Sequence, residues 1–249
     1  MKQKMNNKNL IVIPARAGSK SIKNKNMKLF FGHPLIYWTI KIGLESKLGV
    51  VCVSTDSEEI QQYAISVGAV APFLRPKELA SDTASTESVL IHAYEYLLKT
   101  GLNINSLILL QPTSPFRIIQ DLLSAVEIFN SGKYISSVLS VREAIANQNP
   151  HWMLVKNQQS GIIEKFNGDD LTKLANRRQD LPKCYIRNDY VYCLDPKNLY
   201  QNPSNIYGNN AKLMMSSEKR LDIDINTERD WLMGEMLFKF MKENHEKFI

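Results

Sequence analysis

Short apolar runs alternate with longer amphipathic runs along most of the chain. The apolar runs are nearly free of polar side chains, the pattern of strands in a sheet that is covered on both faces. The alternation predicts βαβ units, and therefore an α/β fold with a Rossmann-like, mainly parallel sheet and helices on both faces. The predicted strands are 10–13, 50–54, 70–74, 106–110, 135–141, 184–194 and 212–215. The predicted helices are 35–46, 57–67, 85–99, 120–130 and 227–242.

The regular alternation stops after Val141. Residues 142–182 are irregular and rich in turn-forming residues, a composition that fits a lid, a dimer arm or a small hairpin subdomain. We therefore predict one domain over residues 1–249 that carries a small inserted dimerisation or lid element at 142–182.

Charge and cysteine content narrow the class of partner. The 249 residues include 31 Lys and Arg and 25 Asp and Glu, a net charge of +6. Apart from residues 16–28 these cations are scattered, so a small anion fits better than nucleic acid. The three cysteines form no C-x-x-C motif, so neither zinc nor a disulfide framework is indicated. With no apolar run of membrane-span length and a polar start, we expect a cytoplasmic protein without a membrane partner.

A basic loop follows the first predicted strand. Residues 13–26 read Ile-Pro-Ala-Arg-Ala-Gly-Ser-Lys-Ser-Ile-Lys-Asn-Lys-Asn. Backbone N–H groups, hydroxyls and cationic tips at the carboxyl end of a strand can converge on a polyphosphate. The loop has the spacing of neither common phosphate-binding motif, so it indicates a third kind of nucleotide site. A solvated basic loop is the alternative.

Polar clusters also follow other predicted strands, at residues 54–56, 75–86 and 110–117. The carboxyl ends of parallel strands lie along one edge of a sheet, so these clusters can face a common cleft. Each cluster has a simpler explanation. Asp56 and Asp82 can be helix caps or turn residues, and Arg75 and Arg117 can be surface ion pairs.

Two charged motifs lie nearer the end of the chain. In Leu221-Asp-Ile-Asp-Ile225 the period of two places Asp222 and Asp224 on one face of an extended segment. Two carboxylates beside a polyphosphate suit Mg²⁺, although a solvated edge strand with Asp224 or Asn226 capping the last helix is the alternative. The adjacent Arg177 and Arg178 suit phosphate or carboxylate recognition, or simply form a charged surface loop.

In this order the motifs resemble those of the CMP-sialic acid synthetases, also called acylneuraminate cytidylyltransferases. The resemblance covers most of the chain. The matching segments are Ile13-Pro-Ala-Arg-x-Gly-Ser-Lys20, Lys25-Asn26, Ser54-Thr-Asp56, Arg75-Pro-x-x-Leu-Ala-x-Asp82, Gln111-Pro-Thr-Ser-Pro115, Arg178-Gln-x-x-Pro182, Asn188 and Asp222-Ile-Asp224.

The resemblance implies a homodimeric cytidylyltransferase with Mg²⁺ as cofactor. Such an enzyme uses CTP to activate a nine-carbon α-keto acid sugar and releases pyrophosphate, after the anomeric hydroxyl attacks the α-phosphate. Sialic acid and its relatives, such as legionaminic and pseudaminic acids, are all candidate sugars. Enzymes that activate the eight-carbon sugar Kdo also use CTP and are the second candidate. Their opening loop carries Thr-Arg-Leu-Pro in place of the Lys-rich stretch found here. A metal-dependent glycosyltransferase, a non-catalytic nucleotide-binding protein and a nucleic-acid binder remain as alternatives.

The resemblance also implies residue roles. The triphosphate would be held by Arg16, Ser19, Lys20 and Lys25, with Asn26 fixing the loop or the nucleotide. Arg75, Ser85 and Thr86 would recognise cytosine, Gln111 and Thr113 would face the sugar, and Asp222 and Asp224 would bind the metal. Arg178, from the same subunit or from a dimer partner, would contact the sugar carboxylate or a phosphate, and Asn188 would bind substrate. Arg16, Lys20, Lys25 and Asp224 are the implied catalytic residues.

Three positions depart from the family pattern. Ser21 stands where the family usually has Gly, which restricts the loop backbone. Asp189 stands where the family has Gly after Asn188 and adds a carboxylate near the expected sugar pocket. Some members carry Arg where this chain has Ile186, and Arg187 follows it. These departures concern the identity of the sugar more than the type of reaction.

Overall fold

The computed structural model describes residues 8–217 and 223–243. Its strands are β1 (Lys8–Pro14), β2 (Leu29–Phe30), β3 (His33–Pro34), β4 (Gly49–Ser54), β5 (Ile104–Leu109), β6 (Ser137–Glu143), β7 (Leu154–Lys156), β8 (Ile163–Lys165), β9 (Tyr185–Leu194) and β10 (Ala211–Met215). Its α-helices are α1 (Leu35–Ser46), α2 (Glu58–Ser66), α3 (Thr86–Lys99), α4 (Ile119–Asn130) and α5 (Glu228–Glu243).

Six strands form the central sheet in the order β10-β6-β9-β5-β1-β4. Strand β1 pairs in parallel with β4 on one side and with β5 on the other, whereas β9 runs antiparallel to β5. All four apolar residues from Leu10 to Ile13 are fully buried. Alternate members of this run belong to two different core clusters, one on each face of the sheet. The α/β fold predicted from the apolar runs is therefore confirmed.

One predicted strand is wrong. Residues 70–74 form only two isolated parallel bridges, Cys52 with Val70 and Thr55 with Leu74. Pro72 lies between the two bridges and has no N–H to donate, so it interrupts the ladder.

The chain divides into two compact units, 1–140 with 189–249 and the intervening Val141–Asn188. The second unit contains the antiparallel β7–β8 hairpin and short 3₁₀ turns. Its range resembles the predicted insertion at 142–182, while its role in dimerisation or as a lid stays a prediction. No helix among the described residues has the length and apolar character needed to cross a membrane.

A third core cluster, rich in aromatic residues, fixes the part of the fold that carries the basic loop. Phe30 makes an edge-to-face contact with Trp231 of α5, with ring centroids 5.3 Å apart. Ile22 of the basic loop belongs to this cluster together with Ile223 and Ile225, and all three are buried. Burial of these isoleucines holds the loop against the segment that leads into α5.

Candidate active site

The basic loop is tied to the sheet by its own backbone. Ala15 N donates to Ser54 O at 2.9 Å, and Ala17 N donates to Asp56 Oδ1 at the same distance. Asn26, which is buried, donates from Nδ2 to Arg16 O at 3.0 Å. Asp56 and Asn26 therefore shape the loop, and the role of Asp56 as a helix cap is wrong because Ser57 Oγ accepts from Ile60 N to cap α2.

The loop reaches the Asp224 segment. Lys25 Nζ donates to Ile225 O at 3.0 Å, and Ile225 N donates to Thr113 O at 2.8 Å. Three regions far apart in the chain, namely the basic loop, the loop after β5 and the segment before α5, thus meet at one edge of the sheet. Asp222, the other predicted metal ligand, lies outside the described residues.

Asp224 has one carboxylate oxygen available for a cation. Its Oδ2 accepts from Asn226 Nδ2 at 2.6 Å, whereas its Oδ1 is buried and has no hydrogen-bond partner. Asp224 does not cap the last helix, because Thr227 and Asp230 exchange hydrogen bonds there and Asp230 N donates to Thr227 Oγ1. A hard cation is a suitable partner for a buried carboxylate oxygen without a donor, so Asp224 fits a Mg²⁺ ligand.

Within the described ranges no three His, Cys, Asp or Glu side chains gather in a metal-binding cluster. Mg²⁺ commonly takes one or two carboxylates and completes its shell with phosphate oxygens and water. The pair predicted at Asp222 and Asp224 matches that smaller requirement.

Lys25 lies in a partly desolvated position. Burial lowers its pKa, and the positive charge of Arg16 acts in the same direction, while Asp224 and Asp230 oppose the shift. The hydrogen bond from Lys25 Nζ to Ile225 O puts the charge of the loop beside the Asp224 segment, and the effects of Arg16 and Asp224 on the pKa of Lys25 are consistent with that position.

A cavity of about 290 Å³ opens beside the basic loop. Its walls gather five of the predicted nucleotide- and sugar-binding residues: Arg16, Arg75, Ser85, Thr86 and Gln111. Ser85 also caps α3, since its Oγ accepts from Ser88 N at 3.1 Å. The prediction that polar clusters after the parallel strands face a common cleft is consistent with this arrangement.

Arg75 is buried rather than part of a surface ion pair, so that alternative is wrong. Only 6% of its surface is exposed, and its Nη2 lies 4.0 Å from Asp56 Oδ1. Its Nε is buried without a hydrogen-bond partner. Burial lowers the pKa of Arg75, with Asp56 opposing the shift. A buried guanidinium that lines a cavity and has an unused donor is suited to bind a polar ligand.

Asp82, to which the sequence analysis assigned no role in the site, contacts two cations of the basic loop. Its Oδ1 lies 2.7 Å from Arg16 Nη1 and its Oδ2 lies 2.6 Å from Lys20 Nζ. Hydrogen bonds from Lys20 and Arg16 lower the pKa of the carboxyl group. Its explanation as a helix cap is wrong, because Ser85 caps α3. One sequence feature could have indicated this contact. Asp82 follows the predicted strand 70–74 and the basic loop follows β1, and both would lie at the same edge of the sheet.

Arg117 is the other surprise. The alternative of a surface ion pair is wrong for Arg117, because the residue is only 1% exposed. Its guanidinium donates to the carbonyl oxygens of Gln111, Ser114, Asp189 and Tyr190 and to Thr39 Oγ1. The loop after β5 and the middle of β9 are therefore fastened to one buried side chain.

The two departures from the family glycines differ in their backbone demands. Asp189 has a φ of +56°, in the left-handed region that favours glycine, and its carboxylate accepts a hydrogen bond from the Tyr192 hydroxyl. Ser21 is not among the described non-glycine residues with positive φ. The serine thus causes no strain of this kind in the loop.

The remaining predicted residues lie in different places. Ser19 is half-buried within the basic loop. Arg178 and Asn188 belong to the Val141–Asn188 unit, where Asn188 is buried and Arg178 lines a smaller cavity of about 100 Å³ together with Glu143, Asn149 and Lys183. Neighbouring Arg177 pairs with Asp180 at 2.8 Å.

Comparison with known proteins identifies similar sequences and a similar fold. The chain is 34% identical over 236 residues to a CMP-N,N'-diacetyllegionaminic acid synthase from Legionella pneumophila, which covers 94% of this chain and 97% of the relative. It is 31% identical over 242 residues to a pseudaminic acid cytidylyltransferase from Campylobacter jejuni. That alignment covers 96% of this chain and 98% of the relative. Among solved structures, a CMP:2-keto-3-deoxy-manno-octonic acid synthetase complexed with CTP superposes with a TM-score of 0.68 at 17% sequence identity. The superposition covers 94% of this chain and 99% of that structure, and it shows a similar fold.

A family model described as Cytidylyltransferase matches residues 10–247. That range includes the basic loop, the cavity residues and the segment of Asp224. The chain therefore belongs to the cytidylyltransferase family of nucleotidyltransferases.

Proposed function

We propose that this protein transfers CMP from CTP to the anomeric oxygen of a nine-carbon α-keto acid sugar, either sialic acid or a relative such as legionaminic or pseudaminic acid. The relatives named above act on sugars of this class. The observation that carries the proposal is the bond from Lys25 Nζ to Ile225 O, which places the basic loop against the segment of Asp224.

The reaction is a displacement at phosphorus. The anomeric oxygen forms a bond to the α-phosphorus as the bond from that phosphorus to the α–β bridging oxygen breaks. Pyrophosphate leaves, and the hydroxyl proton ends on it or in water. In phosphoryl transfer the protein contributes mainly positioning and charge stabilisation. Arg16, Lys20 and Lys25 supply positive charge where the leaving pyrophosphate gains negative charge.

The cavity residues position the two substrates. Arg75, with its unused buried donor, and the Ser85–Thr86 turn at the start of α3 bind the cytidine part of CTP. Gln111 and Thr113 present the sugar, since the carbonyl of Gln111 accepts from the Arg117 side chain and that of Thr113 accepts from Ile225 N, which fixes their loop.

The cofactor in this proposal is Mg²⁺. Asp224 would hold it with Asp222, and the buried, partnerless Oδ1 of Asp224 supports that assignment. When bound, the ion neutralises phosphate charge and lowers the barrier to attack on phosphorus.

We also propose a cytoplasmic homodimer formed through the Val141–Asn188 unit, with Arg178 serving the sugar carboxylate or a phosphate. Ile162 and Phe166 of this unit are each more than 60% exposed, an apolar surface of the kind that dimers bury. A dimer in light scattering, lost on Phe166→Asp substitution, supports this arrangement. A monomer at working concentration contradicts it.

The decisive experiment measures pyrophosphate release from CTP and Mg²⁺ with a panel of sugars. The panel contains N-acetylneuraminic, legionaminic and pseudaminic acids, with Kdo as the eight-carbon competitor. We expect release with at least one nine-carbon acid and a CMP-sugar of matching mass. Preferred use of Kdo contradicts the sugar class. Tight CTP binding with no release for any sugar indicates a non-catalytic nucleotide-binding protein.

A further inference from the structure

The carboxylate of Asp82 occupies the cationic side of the nucleotide cavity. It contacts both Arg16 and Lys20, at 2.7 and 2.6 Å, and it forms part of the same cavity wall as Arg16 and Arg75. The carboxylate therefore occupies the hydrogen-bonding and charge-neutralising role toward Arg16 and Lys20 that a phosphate oxygen of a bound ligand could take.

The segment that carries Asp82 is held mainly by local bonds. Within residues 76–84 these run from Leu79 N to Pro76 O, from Ala80 N to Lys77 O and from Ala84 N to Ser81 O. Among the described residues, the hydrogen bonds and ion pairs that join this segment to the basic loop are the two made by Asp82. The contact can therefore exchange without breaking a strand or a helix.

The pairing is also exposed to solvent. About half of the Asp82 side chain is accessible, at 46%, and Lys20 is 78% exposed. Exposed ion pairs contribute little to folding because water and salt compete for the same charges. An anion of higher charge can displace such a carboxylate more readily than it could displace a buried one.

We propose that Asp82 sets the affinity for CTP by competing with the triphosphate for Arg16 and Lys20. This inference rests on the proposed function in that it assigns the polyphosphate to these two cations. Asp82 acts through them and is a positioning residue rather than a catalytic one. The competition weakens CTP binding and, after the reaction, helps pyrophosphate to leave.

The test replaces Asp82 by Asn, which keeps the size of the side chain and removes its charge. The control is Glu78→Gln, an exposed acidic residue on the same segment for which no contact with Arg16 or Lys20 is observed. Calorimetry measures the binding of three ligands: CTP, inorganic tripolyphosphate and CMP. The last lacks the β- and γ-phosphates and so reports the nucleoside side of the cavity.

We expect Asp82→Asn to tighten the binding of CTP and tripolyphosphate about threefold to tenfold, the range set by two exposed ion pairs. CMP binding and the unfolding temperature stay unchanged, and Glu78→Gln has a much smaller effect on any ligand. In turnover the variant lowers the KM for CTP without raising kcat. A purely structural role for Asp82 would weaken all three ligands together.

Weaker or unchanged tripolyphosphate binding by Asp82→Asn overturns the inference and leaves the proposed function standing. Equal tightening by Glu78→Gln also overturns it, because the effect would then be one of net charge alone. If the unsubstituted protein binds neither CTP nor tripolyphosphate, the proposed function fails as well. Failure to turn over any sugar, with phosphate binding intact, affects only the proposed function.

Discussion

Arg16 and Arg117 follow the parallel strands β1 and β5, yet their guanidinium groups lie in different surroundings. Arg16 faces an open cavity and pairs with an exposed carboxylate. Arg117 is buried and donates to four backbone carbonyls and one hydroxyl. A guanidinium with exposed, exchangeable partners can transfer its donors to a ligand. A buried guanidinium cannot transfer its donors in this way, because its acceptors would then be left buried without a hydrogen bond. Such an arginine stabilises the fold.

This comparison predicts that substitutions in the proposed active site, which includes the cavity and the neighbouring Asp224 segment, change ligand binding and turnover, whereas substitutions at Arg117 change stability. Asp224→Asn should give the largest effect. Loss of the carboxylate should lower kcat by about a hundredfold or more, as for other groups that stabilise charge in a transition state. Steady-state pyrophosphate release measures kcat, and urea denaturation should show no loss of unfolding free energy.

The control for Asp224 is Glu228→Gln, which removes a nearby exposed carboxylate paired with Lys28 at 2.9 Å. It should leave kcat within about a factor of two, since exposed pairs contribute little. Near-normal turnover by Asp224→Asn would refute the metal-binding role of Asp224.

Arg117→Met should have the next largest effect, on stability. It leaves buried carbonyls without donors, so we expect the free energy of unfolding to fall by about 3–5 kcal/mol. Arg177→Met, which breaks an exposed pair with Asp180, should cost less than about 1 kcal/mol. Equal costs in urea denaturation would show that burial does not distinguish these arginines.

Arg16→Gln tests the opposite side of the comparison. Loss of a charge-assisted phosphate contact should raise the KM for CTP about tenfold, with the unfolding temperature nearly unchanged. Lys23→Gln removes the same charge from an exposed position in the same loop and should change the KM little. A similar rise in both variants would mean that the loop acts through its total charge.

The smallest expected effect concerns pH. Burial lowers the pKa of Lys25, so this lysine loses its proton at a lower pH than an exposed lysine. Because the charged form binds phosphate, kcat/KM for CTP should fall on the alkaline side. In Lys25→Arg that fall should move to higher pH, since a guanidinium stays protonated. Coincident alkaline limbs in the two pH profiles would exclude Lys25 as the titrating group.

Much of this fold could be predicted from the sequence, because the spacing of apolar residues along the chain indicates which segments form helices and which form buried strands. Helix α1 occupies the predicted residues 35–46, and the continuous apolar run of β1 indicated burial on both faces. The strand predicted at 70–74 is wrong because the prediction considered apolar content alone, whereas Pro72 interrupts the ladder.

The site was less predictable, for reasons that concern tertiary structure. Family motifs identified Arg16, Arg75 and Gln111, which the fold brings to one cavity. The pairing of Asp82 with the basic loop depends on the path of an irregular segment, which no periodicity encodes. For Arg117 the alternative of a surface ion pair rested on the usual exposure of arginine, and the surrounding carbonyls explain its burial.

The hydrogen bond from Lys25 to the carbonyl of Ile225 joins residues 200 positions apart. During synthesis at about 5–20 residues per second, some ten to forty seconds pass between the two partners leaving the peptidyl transferase centre. The β1 strand and its loop are made early and Asp224 is made late, so a nascent chain carries Arg16, Lys20 and Lys25 long before it carries Asp224. Under the proposed function, a ribosome that stalls before residue 224 releases a fragment that contains the cations of the basic loop and lacks the carboxylate proposed to hold Mg²⁺.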